Sequence, residues 1–319
     1  MMNSKKTGIV DVIVFYEPYG VELLEFRIKL LEHYVDWFIV TEADRTQTGE
    51  PIDFKFEEVA ERLHLPMNNI IYVKQHIPED SQLEIKAVDL YNIPTWNRTN
   101  VELQRNRVRE RMQKDAMLQV VDEFDDDTVF IIGDSDEIVR PDAVSWLSKL
   151  CINNPNVIMR IPLRHMQGRA DLEVYDETTG NPVGWNGNLY FAQKHHLRDY
   201  TPLEIRSWLS NQTYPIVWPT HESESCENLG WHFSWMGNSK HRLKKRKSFI
   251  HANEKMHNSV FDNNGSEEYT DLLKNGVVRD GAFAPDGVKN HILRKIDLEE
   301  LPDTMFMKRE FIEFFFSLD

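Results

Sequence analysis

The sequence has few cysteines and no long apolar segment. Its 319 residues include two cysteines, Cys151 and Cys226, and a chain of this length does not need a disulfide to stabilise its core. We therefore predict two free, fairly buried thiols. No segment approaches the roughly 20 apolar residues of a membrane-spanning helix, and the N-terminus lacks a signal-peptide pattern. We expect a soluble, cytoplasmic protein.

Basic residues are also scarce relative to acidic ones. The chain has 37 Lys and Arg against 52 Asp and Glu, which gives a formal net charge of −15. Proteins that hold duplex DNA need clustered Lys and Arg, so the total charge disfavours nucleic acid as a partner. A small anionic ligand remains compatible with this composition, because it responds to the local field and not to the total charge.

Several well-known catalytic motifs are missing. The sequence has no Walker glycine loop, no G-x-G-x-x-G after its first predicted strand, no G-x-S-x-G segment and no Cys/His spacing typical of zinc. These absences disfavour kinases, dinucleotide dehydrogenases and serine hydrolases.

Apolar runs and helical patterns alternate along the first half of the chain. Short apolar runs at residues 11–16, 37–41, 69–74, 127–133 and 157–161 predict strands. Helical spacing predicts helices after the first strand, over about residues 102–121 and after Pro141. This alternation predicts an α/β fold, with a mostly parallel sheet flanked by helices. A last apolar segment, residues 305–318, is expected to pack against the body as a helix.

Ligands of such sheets bind beyond the carboxyl ends of the strands. The fourth predicted strand ends in Gly133-Asp134-Ser135-Asp136-Glu137. If this segment is extended, Asp134 and Asp136 point to the same side and can converge on one cation. Carboxylate oxygens suit Mg²⁺ or Mn²⁺, which also bind diphosphate groups. The alternative is that these acids only cap the following helix.

A histidine between two tryptophans gives a second signal. Gly230-Trp231-His232-Phe233-Ser234-Trp235 precedes a segment, residues 240–247, in which six of eight residues are Lys or Arg. A lone histidine is more often a core residue than a ligand, and a run of charges is usually a solvated face. In a chain this acidic, however, a local basic cluster would suit a diphosphate and the charge it gains as a leaving group.

Positions near other strand and helix ends extend this set. Arg105 near the start of the long helix favours an anionic partner, although it also reads as an ordinary exposed residue. Tyr16, Glu42 and Arg45 end or follow the first two predicted strands, and Ser135 lies between the two acids. We predict that all of these residues bind the ligand. Trp185 and Trp208 could stack on sugar rings or belong to the core.

Together these segments resemble glycosyltransferase family 17, whose animal members add an N-acetylglucosamine to N-glycans. The matching segments follow the family's order over about residues 11–281. They are DWFIVTE at 36–42, TGEP at 48–51 with Phe54 and Phe56, QRN at 104–106, GDSDEI at 133–138, GWHFSW at 230–235 and KSFIH at 247–251. The sequence departs from the family's pattern at two positions. Ser135 replaces a small apolar residue, and Arg140 precedes Pro141.

The resemblance implies a GT-A fold in one domain, residues 1–319. About residues 8–165 would bind the nucleotide sugar and about residues 166–319 would lie on the acceptor side. It also implies UDP-N-acetylglucosamine as donor, a divalent cation (Mn²⁺ or Mg²⁺), inversion at the anomeric carbon, and a hydroxyl of a glycan or other acceptor. The animal members carry a membrane anchor that this sequence lacks, so we expect an acceptor other than an N-glycan.

The resemblance also implies roles for individual residues. Asp134 and Asp136 would hold the metal and the ribose side of the donor, and His232 would be a further ligand of the metal or diphosphate. Arg105 and Glu42 would contact the nucleotide, and Lys245 or Lys247 the diphosphate.

An inverting transfer needs a carboxylate base. We expect it at a sequence position between His232 and the segment Asp134-Ser135-Asp136-Glu137, called the acid motif below. The candidates are Asp171, Glu173, Asp199, Glu204, Glu222, Glu224 and Glu227. We favour Glu204, because the family often has a similar E-[LI]-R segment. In the alternative, Thr201, Pro202 and Glu204 form a capping box at the start of a helix.

Three other functions compete with this prediction. They are a catalytically silent nucleotide-sugar-binding module, a glycosyltransferase that modifies DNA or a small molecule with another UDP-sugar, and a nucleotidyltransferase, which also uses paired acids.

Overall fold

The computed structural model describes residues 5–91, 93, 95–185, 189–207, 213–219, 228–248, 277–279 and 290–317. The strands are β1 (Ile9–Phe15), β2 (Trp37–Ala43), β3 (Ile70–Gln75), β4 (Val129–Ile132), β5 (Glu137–Val139), β6 (Ile158–Arg160), β7 (Arg164–Gln167), β8 (Leu172–Asp176), β9 (Tyr190–Gln193), β10 (Ile216–Val217), β11 (Gly230–Ser234), β12 (Val277–Arg279) and β13 (Asn290–Lys295). The helices are α1 (Glu17–Leu31), α2 (Phe56–Leu63), α3 (Ala87–Tyr91), α4 (Val101–Asp115), α5 (Pro141–Asn153), α6 (Lys194–Asp199), α7 (Pro202–Arg206), α8 (Ser239–Ser248) and α9 (Arg309–Phe316).

The first sheet contains the strands predicted from apolar runs. Its order is β10-β6-β9-β4-β1-β2-β3, and β1 pairs in parallel with both β2 and β4. The antiparallel strand β9 joins β4 to β6. Side chains on both faces of β1 and β4 are buried, which is why these strands read as continuous apolar runs. The predicted α/β architecture, a sheet flanked by helices, is confirmed.

A second sheet, of order β12-β13-β8-β7-β11-β5, has mostly antiparallel pairs. β11 pairs antiparallel with β5, which places His232 opposite Glu137. It also pairs in parallel with β7, which places His232 opposite His165. The second sheet therefore brings the acid motif next to the predicted histidine. Both sheets combine strands from before and after residue 165, where the sequence suggested that two halves meet.

The helices begin and end close to their expected positions. The Asn100 side chain caps α4 by accepting a hydrogen bond from the Leu103 N–H at 3.2 Å. The α-helix ends at Asp115 and continues as a 3₁₀ turn, so it is shorter than the predicted 102–121. α9 packs against α1 through Phe311 and Phe315, whose rings contact Phe26 at centroid distances of 5.8 and 4.8 Å.

Two expectations from the composition meet described residues. Cys151 is a free, buried thiol, as predicted, and Cys226 lies outside the described residues. Within the part of the chain that the structure describes, no helix is both long and apolar enough to cross a bilayer.

A fully buried ion pair fixes α1 to β1. The Arg27 guanidinium donates two hydrogen bonds to the Asp11 carboxylate, at 2.8 and 2.6 Å, and both side chains are inaccessible to solvent. Burial raises the pKa of Asp11, and the Arg27 charge opposes that rise. The same guanidinium donates to the Asp134 carbonyl oxygen at 2.7 Å. Arg27 therefore connects the core of the first sheet to the acid motif.

Removing Arg27 should destabilise the protein strongly. Arg27→Met leaves Asp11 as an unpaired buried charge, which costs about 3–5 kcal/mol of unfolding free energy. Urea denaturation measures this loss. Asp11→Asn combined with Arg27→Met should recover part of it, because the unpaired charge is then gone.

A matched control is Arg309→Met, which removes an exposed ion pair with Glu313 on α9. It should leave the denaturation midpoint unchanged, because exposed pairs contribute little. Equal, small effects of both substitutions would contradict the role assigned to Arg27.

Candidate functional site

The acid motif lies between the two sheets and forms a tight turn. The Glu137 N–H donates to the Asp134 carbonyl oxygen at 3.0 Å, and the Glu137 carboxylate accepts from the Asp134 N–H at 2.8 Å. The extended backbone that we expected for residues 134–136 is therefore wrong. Aspartate is favoured at the first position of such a turn, and Glu137 and Arg27 fix its ends. As a result, the two aspartates meet different partners.

Asp134 pairs with cations from two helices. Its carboxylate lies 2.7 Å from an Arg206 nitrogen on α7 and 3.1 Å from the Lys114 ammonium on α4. Desolvation alone would raise the pKa of Asp134, but the Arg206 and Lys114 charges outweigh it and hold that pKa well below its usual range. The Asp134 side chain is 38% exposed, whereas Arg206 and Lys114 are nearly buried. Asp134 is thus ionised and open to solvent.

Asp136 is buried and meets a different cation. Its Oδ2 lies 2.7 Å from the Lys245 ammonium on α8 and 3.8 Å from His232 Nε2. Burial raises the pKa of Asp136, but the Lys245 charge outweighs it, so the pKa is lowered. The structure therefore brings together the predicted residues Asp136, His232 and Lys245.

His232 lies in an aromatic stack. Its ring stacks on Trp185 with centroids 4.0 Å apart and on His165 with centroids 5.3 Å apart. Burial lowers the pKa of His232 below its usual value, so the imidazole is neutral near pH 7. Its Nδ1 is buried and has no hydrogen-bond partner among the described residues.

Trp185 also connects this stack to the acid motif, because its indole N–H donates to Glu137 Oε1 at 2.6 Å.

The residues that sequence reasoning missed are mainly cations. Arg206 also lies 3.4 Å from Glu137, and Lys114 pairs with Glu110 at 2.7 Å. Around Asp134, Asp136 and Glu137 the structure therefore gathers three matching cations, Lys114, Arg206 and Lys245. For Arg206 a signal existed in the E-[LI]-R segment. For Lys114 the sequence offered none, since it reads as an ordinary helix lysine.

The chemistry of the donor set allows a divalent cation at Asp136 and His232. A carboxylate oxygen and an imidazole nitrogen converge there, and the other imidazole nitrogen is buried without a hydrogen-bond partner in the described part of the chain. Among the described residues no group of three or more His, Cys, Asp or Glu side chains is arranged to hold a metal ion. Two protein ligands are still enough for Mg²⁺ or Mn²⁺ when substrate phosphates and water complete the coordination. Asp134 fits less well, because both of its oxygens are paired with protein cations.

A cavity of about 320 Å³ opens beyond the carboxyl ends of β1 and β2. Its lining residues are Glu17, Pro18, Glu42, Pro51, Ile52, Asp53 and Lys55. Glu42 is 2% exposed and accepts hydrogen bonds from the Lys55 and Phe56 N–H groups, at 2.8 and 3.1 Å, and from the Tyr72 hydroxyl. Glu42 therefore holds the start of α2 against the sheet and forms one wall of this cavity.

Two further predicted ligand residues, Arg45 and Arg105, are paired with other parts of the protein. Arg45 donates to the Gly49 and Ile77 carbonyl oxygens and pairs with Glu79. Arg105 is about one-third exposed and pairs with Glu102 at 3.0 Å. The structure does not bring Arg105 to the acid motif.

The C-terminal end of α8 is fixed to the same turn. The Gln47 N–H donates to the Ser248 carbonyl oxygen and the Thr48 hydroxyl to the Lys247 carbonyl oxygen, both at 3.1 Å. Lys247 itself is exposed. Burial raises the pKa of Tyr16, which also hydrogen-bonds Ser248. Ser135 lies in the acid-motif turn and is partly exposed.

Glu204 takes part in the capping box at the start of α7. Its Oε2 accepts from the Thr201 N–H at 2.9 Å, and its own N–H donates to the Thr201 hydroxyl at 3.3 Å. The capping interpretation is thus confirmed, and the catalytic one stays a prediction. α7 places Glu204 within one helical turn of Arg206, which contacts the acid motif.

The other candidate bases are paired elsewhere or undescribed. Asp171 and Glu173 are buried and bind Arg169 and Arg164 through two hydrogen bonds each. Asp199 is exposed and accepts from the Tyr214 hydroxyl at 2.5 Å. Four predicted residues lie outside the described part of the chain. They are Trp208, Glu222, Glu224 and Glu227.

With this geometry established, comparison with known proteins identifies the family. The sequence model of glycosyltransferase family 17 matches residues 1–167, just over half of the chain. The chain belongs to this family. It is therefore a glycosyltransferase, and the family together with the mixed α/β sheet confirms the predicted GT-A-type fold class. No curated protein matches the sequence significantly.

Solved structures show only distant likeness. Glucosyl-3-phosphoglycerate synthase of M. tuberculosis is 15% identical, with 71% of this chain and 72% of that one covered and a TM-score of 0.34. S. aureus TarS 1-349 is 9% identical, with 83% and 78% covered and a TM-score of 0.35. 4-Diphosphocytidyl-2C-methyl-D-erythritol synthase is 11% identical, with 69% and 91% covered and a TM-score of 0.35. At TM-scores this low, these likenesses support no inference about the function of this family 17 member.

A buried carboxylate beside Glu204 generates a prediction about pH. Asp115 accepts a hydrogen bond from the Leu203 N–H at 3.0 Å, and burial raises the pKa of Asp115 from 3.8 to about 6. The folded state therefore binds this proton more tightly than the unfolded state does. Its contribution to stability is present below about pH 4 and is lost as the pH rises through about 6.

Asp115→Asn removes this titration. We expect its unfolding free energy to rise relative to the original protein by about 2 kcal/mol between pH 4 and pH 7. Urea denaturation of both proteins across this range measures the difference. A difference that does not change with pH would contradict the shifted pKa.

Proposed function

We propose that the protein transfers a sugar from a UDP-sugar, with UDP-N-acetylglucosamine as the favoured donor, to a hydroxyl of a glycan or another acceptor, with inversion. The observation that carries this proposal is the charge-paired acid motif, with Asp136 beside the neutral His232. Family membership supplies the sugar transfer.

The nucleoside is proposed to occupy the cavity beyond β1 and β2. Ligands of parallel sheets bind at this edge, and Glu42 stabilises one wall of the cavity. Tyr16 directly follows β1 and lies at the same edge of the sheet. Arg45 fixes the turn whose Pro51 lines the cavity. We assign Arg45 to shaping the pocket, and Arg105 to a more distant contact with the donor.

The diphosphate is proposed to lie against the cations of the acid motif. Arg206 and Lys114 keep Asp134 ionised and are themselves nearly buried. Preorganised cations in a poorly solvated site stabilise the charge that a leaving diphosphate gains in the transition state. Lys245 is the third such cation. Lys247 lies on the exposed side of α8 and adds positive charge to the same helix.

A divalent cation, Mn²⁺ or Mg²⁺, is proposed to bind Asp136 and His232. When bound it would act as a Lewis acid on the diphosphate. Asp134 reaches such a cation only by exchanging Lys114 or Arg206 for it. Trp185 and Glu137 hold His232 and the acid motif in register, and the stack excludes water from the imidazole.

Glu204 is proposed as the base that removes the proton of the acceptor hydroxyl. Glu204 belongs to α7, the same short helix that delivers Arg206 to Asp134. A positioned carboxylate acting as general base contributes about 10²–10⁴-fold to the rate.

The donor can be identified by incubating the protein with a panel of nucleotide sugars plus Mn²⁺. We expect release of UDP from one UDP-sugar, and a loss of at least about 100-fold in Asp136→Asn, because the metal ligand is lost. Asp303→Asn is the matched control, since Asp303 is exposed. It should keep full activity.

Other outcomes would contradict the proposal. Release of pyrophosphate from UTP and a sugar 1-phosphate, with no release of UDP from any nucleotide sugar, would indicate a nucleotidyltransferase. Donor binding with no turnover on any acceptor array would indicate a silent binding module. Salt-sensitive binding to DNA would favour a DNA-modifying enzyme.

Glu204→Gln separates the two roles of Glu204. Glutamine also serves at this position of a capping box, so the melting temperature should stay unchanged. If Glu204 is the base, kcat should fall by at least about 100-fold with little change in KM for the donor. A fully active Glu204→Gln protein would leave the cap as the role of this residue.

A further inference from the structure

Lys245 pairs with the Asp136 carboxylate, which a metal ion bound at this site would also need. Its ammonium lies 2.7 Å from Asp136 Oδ2, and His232 Nε2 lies 3.8 Å from the same oxygen. A divalent cation held by Asp136 and His232 would need the same carboxylate as a ligand. Lys245 and such a cation therefore compete for Asp136.

The Lys245 side chain is nevertheless held apart from the other lysines of its helix. It passes over the rings of Tyr19 and Trp235, with its ammonium 4.7 and 5.4 Å from their centroids. Burial alone would lower the pKa of Lys245, but the Asp136 charge outweighs it and raises that pKa above the usual range. The ammonium is charged, and the two rings contact it independently of Asp136.

Charge balance indicates what can displace it. Counting Glu110, which shares Lys114, the four carboxylates Asp134, Asp136, Glu137 and Glu110 face the four cations Lys114, Arg206, Lys245 and Arg107, and His232 is neutral. A divalent cation alone would add two positive charges to a balanced site. A nucleotide-sugar diphosphate carries two negative charges, so the two ligands together keep the balance and give Lys245 a new partner.

We propose that Lys245 is a placeholder cation, which neutralises Asp136 in the empty site and moves its contact to the donor diphosphate when metal and nucleotide bind together. The proposal rests on the proposed function, because it needs a nucleotide diphosphate. It implies that metal binds weakly on its own and that metal and nucleotide strengthen each other's binding by the same factor.

Mn²⁺ binding, measured by electron paramagnetic resonance with and without UDP, tests this proposal. In the original protein, saturating UDP should lower the Kd for Mn²⁺ by at least about tenfold. Lys245→Met keeps the apolar stem between Tyr19 and Trp235 but removes the charge. It should bind Mn²⁺ alone at least about tenfold more tightly than the original protein does, because Asp136 is free. The factor by which UDP lowers the Kd for Mn²⁺ should be smaller in Lys245→Met than in the original protein.

Lys240→Met is the matched control, because Lys240 lies on the exposed face of the same helix. It should reproduce both affinities of the original protein. Equal or weaker binding of Mn²⁺ alone by Lys245→Met would overturn the proposal and make Lys245 a fixed structural partner of Asp136. If circular dichroism shows that Lys245→Met is unfolded, Lys245→Gln replaces it in the same comparison.

The two proposals fail in different ways. If the original protein with Mn²⁺ binds neither UDP nor any UDP-sugar, the proposed function is wrong. If UDP binds but removing the Lys245 charge does not tighten binding of Mn²⁺ alone, the function stands and the placeholder role is wrong.

Discussion

Carboxylates that leave water need opposite charges close by, and this requirement organises the centre of the molecule. Asp136 and Glu137 are buried and Asp134 is partly exposed, at the point where the chain passes from one sheet to the other. An uncompensated buried charge costs several kcal/mol. The compensating cations come from three separate helices, α4, α7 and α8. The site therefore forms only when these helices are docked, and it couples their positions to one another.

The turn that carries the acids is held by the backbone as well as by charge. Arg27 reaches from α1 to the Asp134 carbonyl oxygen, while the Glu137 carboxylate accepts from the Asp134 N–H. Because β4 belongs to the first sheet and β5 to the second, these few residues set the relation between the two. The register of β5 against β11 then fixes His232 opposite Glu137. One turn thus determines where the imidazole and the aspartates meet.

The sequence predicts this centre in part. Five of the seven strands of the first sheet were predicted from apolar runs, as at β1 and β4, which are buried on both faces. The strands β9 and β10 were not predicted. The acid motif and His232 carried chemistry in their own residue types. The extended geometry at Asp134 was wrong, because hydrogen bonds between Asp134 and Glu137 close a turn there. The contact of Arg27 with this turn was not predictable, because Arg27 is remote in sequence. Lys114 lies in a helix whose polar pattern does not distinguish a cation of the site from a surface lysine.

The role of Glu42 was also not predictable from its position in the sequence. A polar residue at a strand end can line a pocket, hold the start of a helix, or do both.

The balance of charges at the acid motif also bears on which anions the site can accept. A free polyanion such as DNA brings negative charge without a tightly bound cation of its own. Placed here, it would meet three cations that already have carboxylate partners, on a protein of net charge −15. A metal–nucleotide complex brings both signs and can exchange partners with the site without leaving a charge unpaired. The local pairing and the total charge therefore favour the same ligand class for different reasons. The total charge weakens the long-range attraction of polyanions. The paired charges of the site favour a ligand that brings charges of both signs.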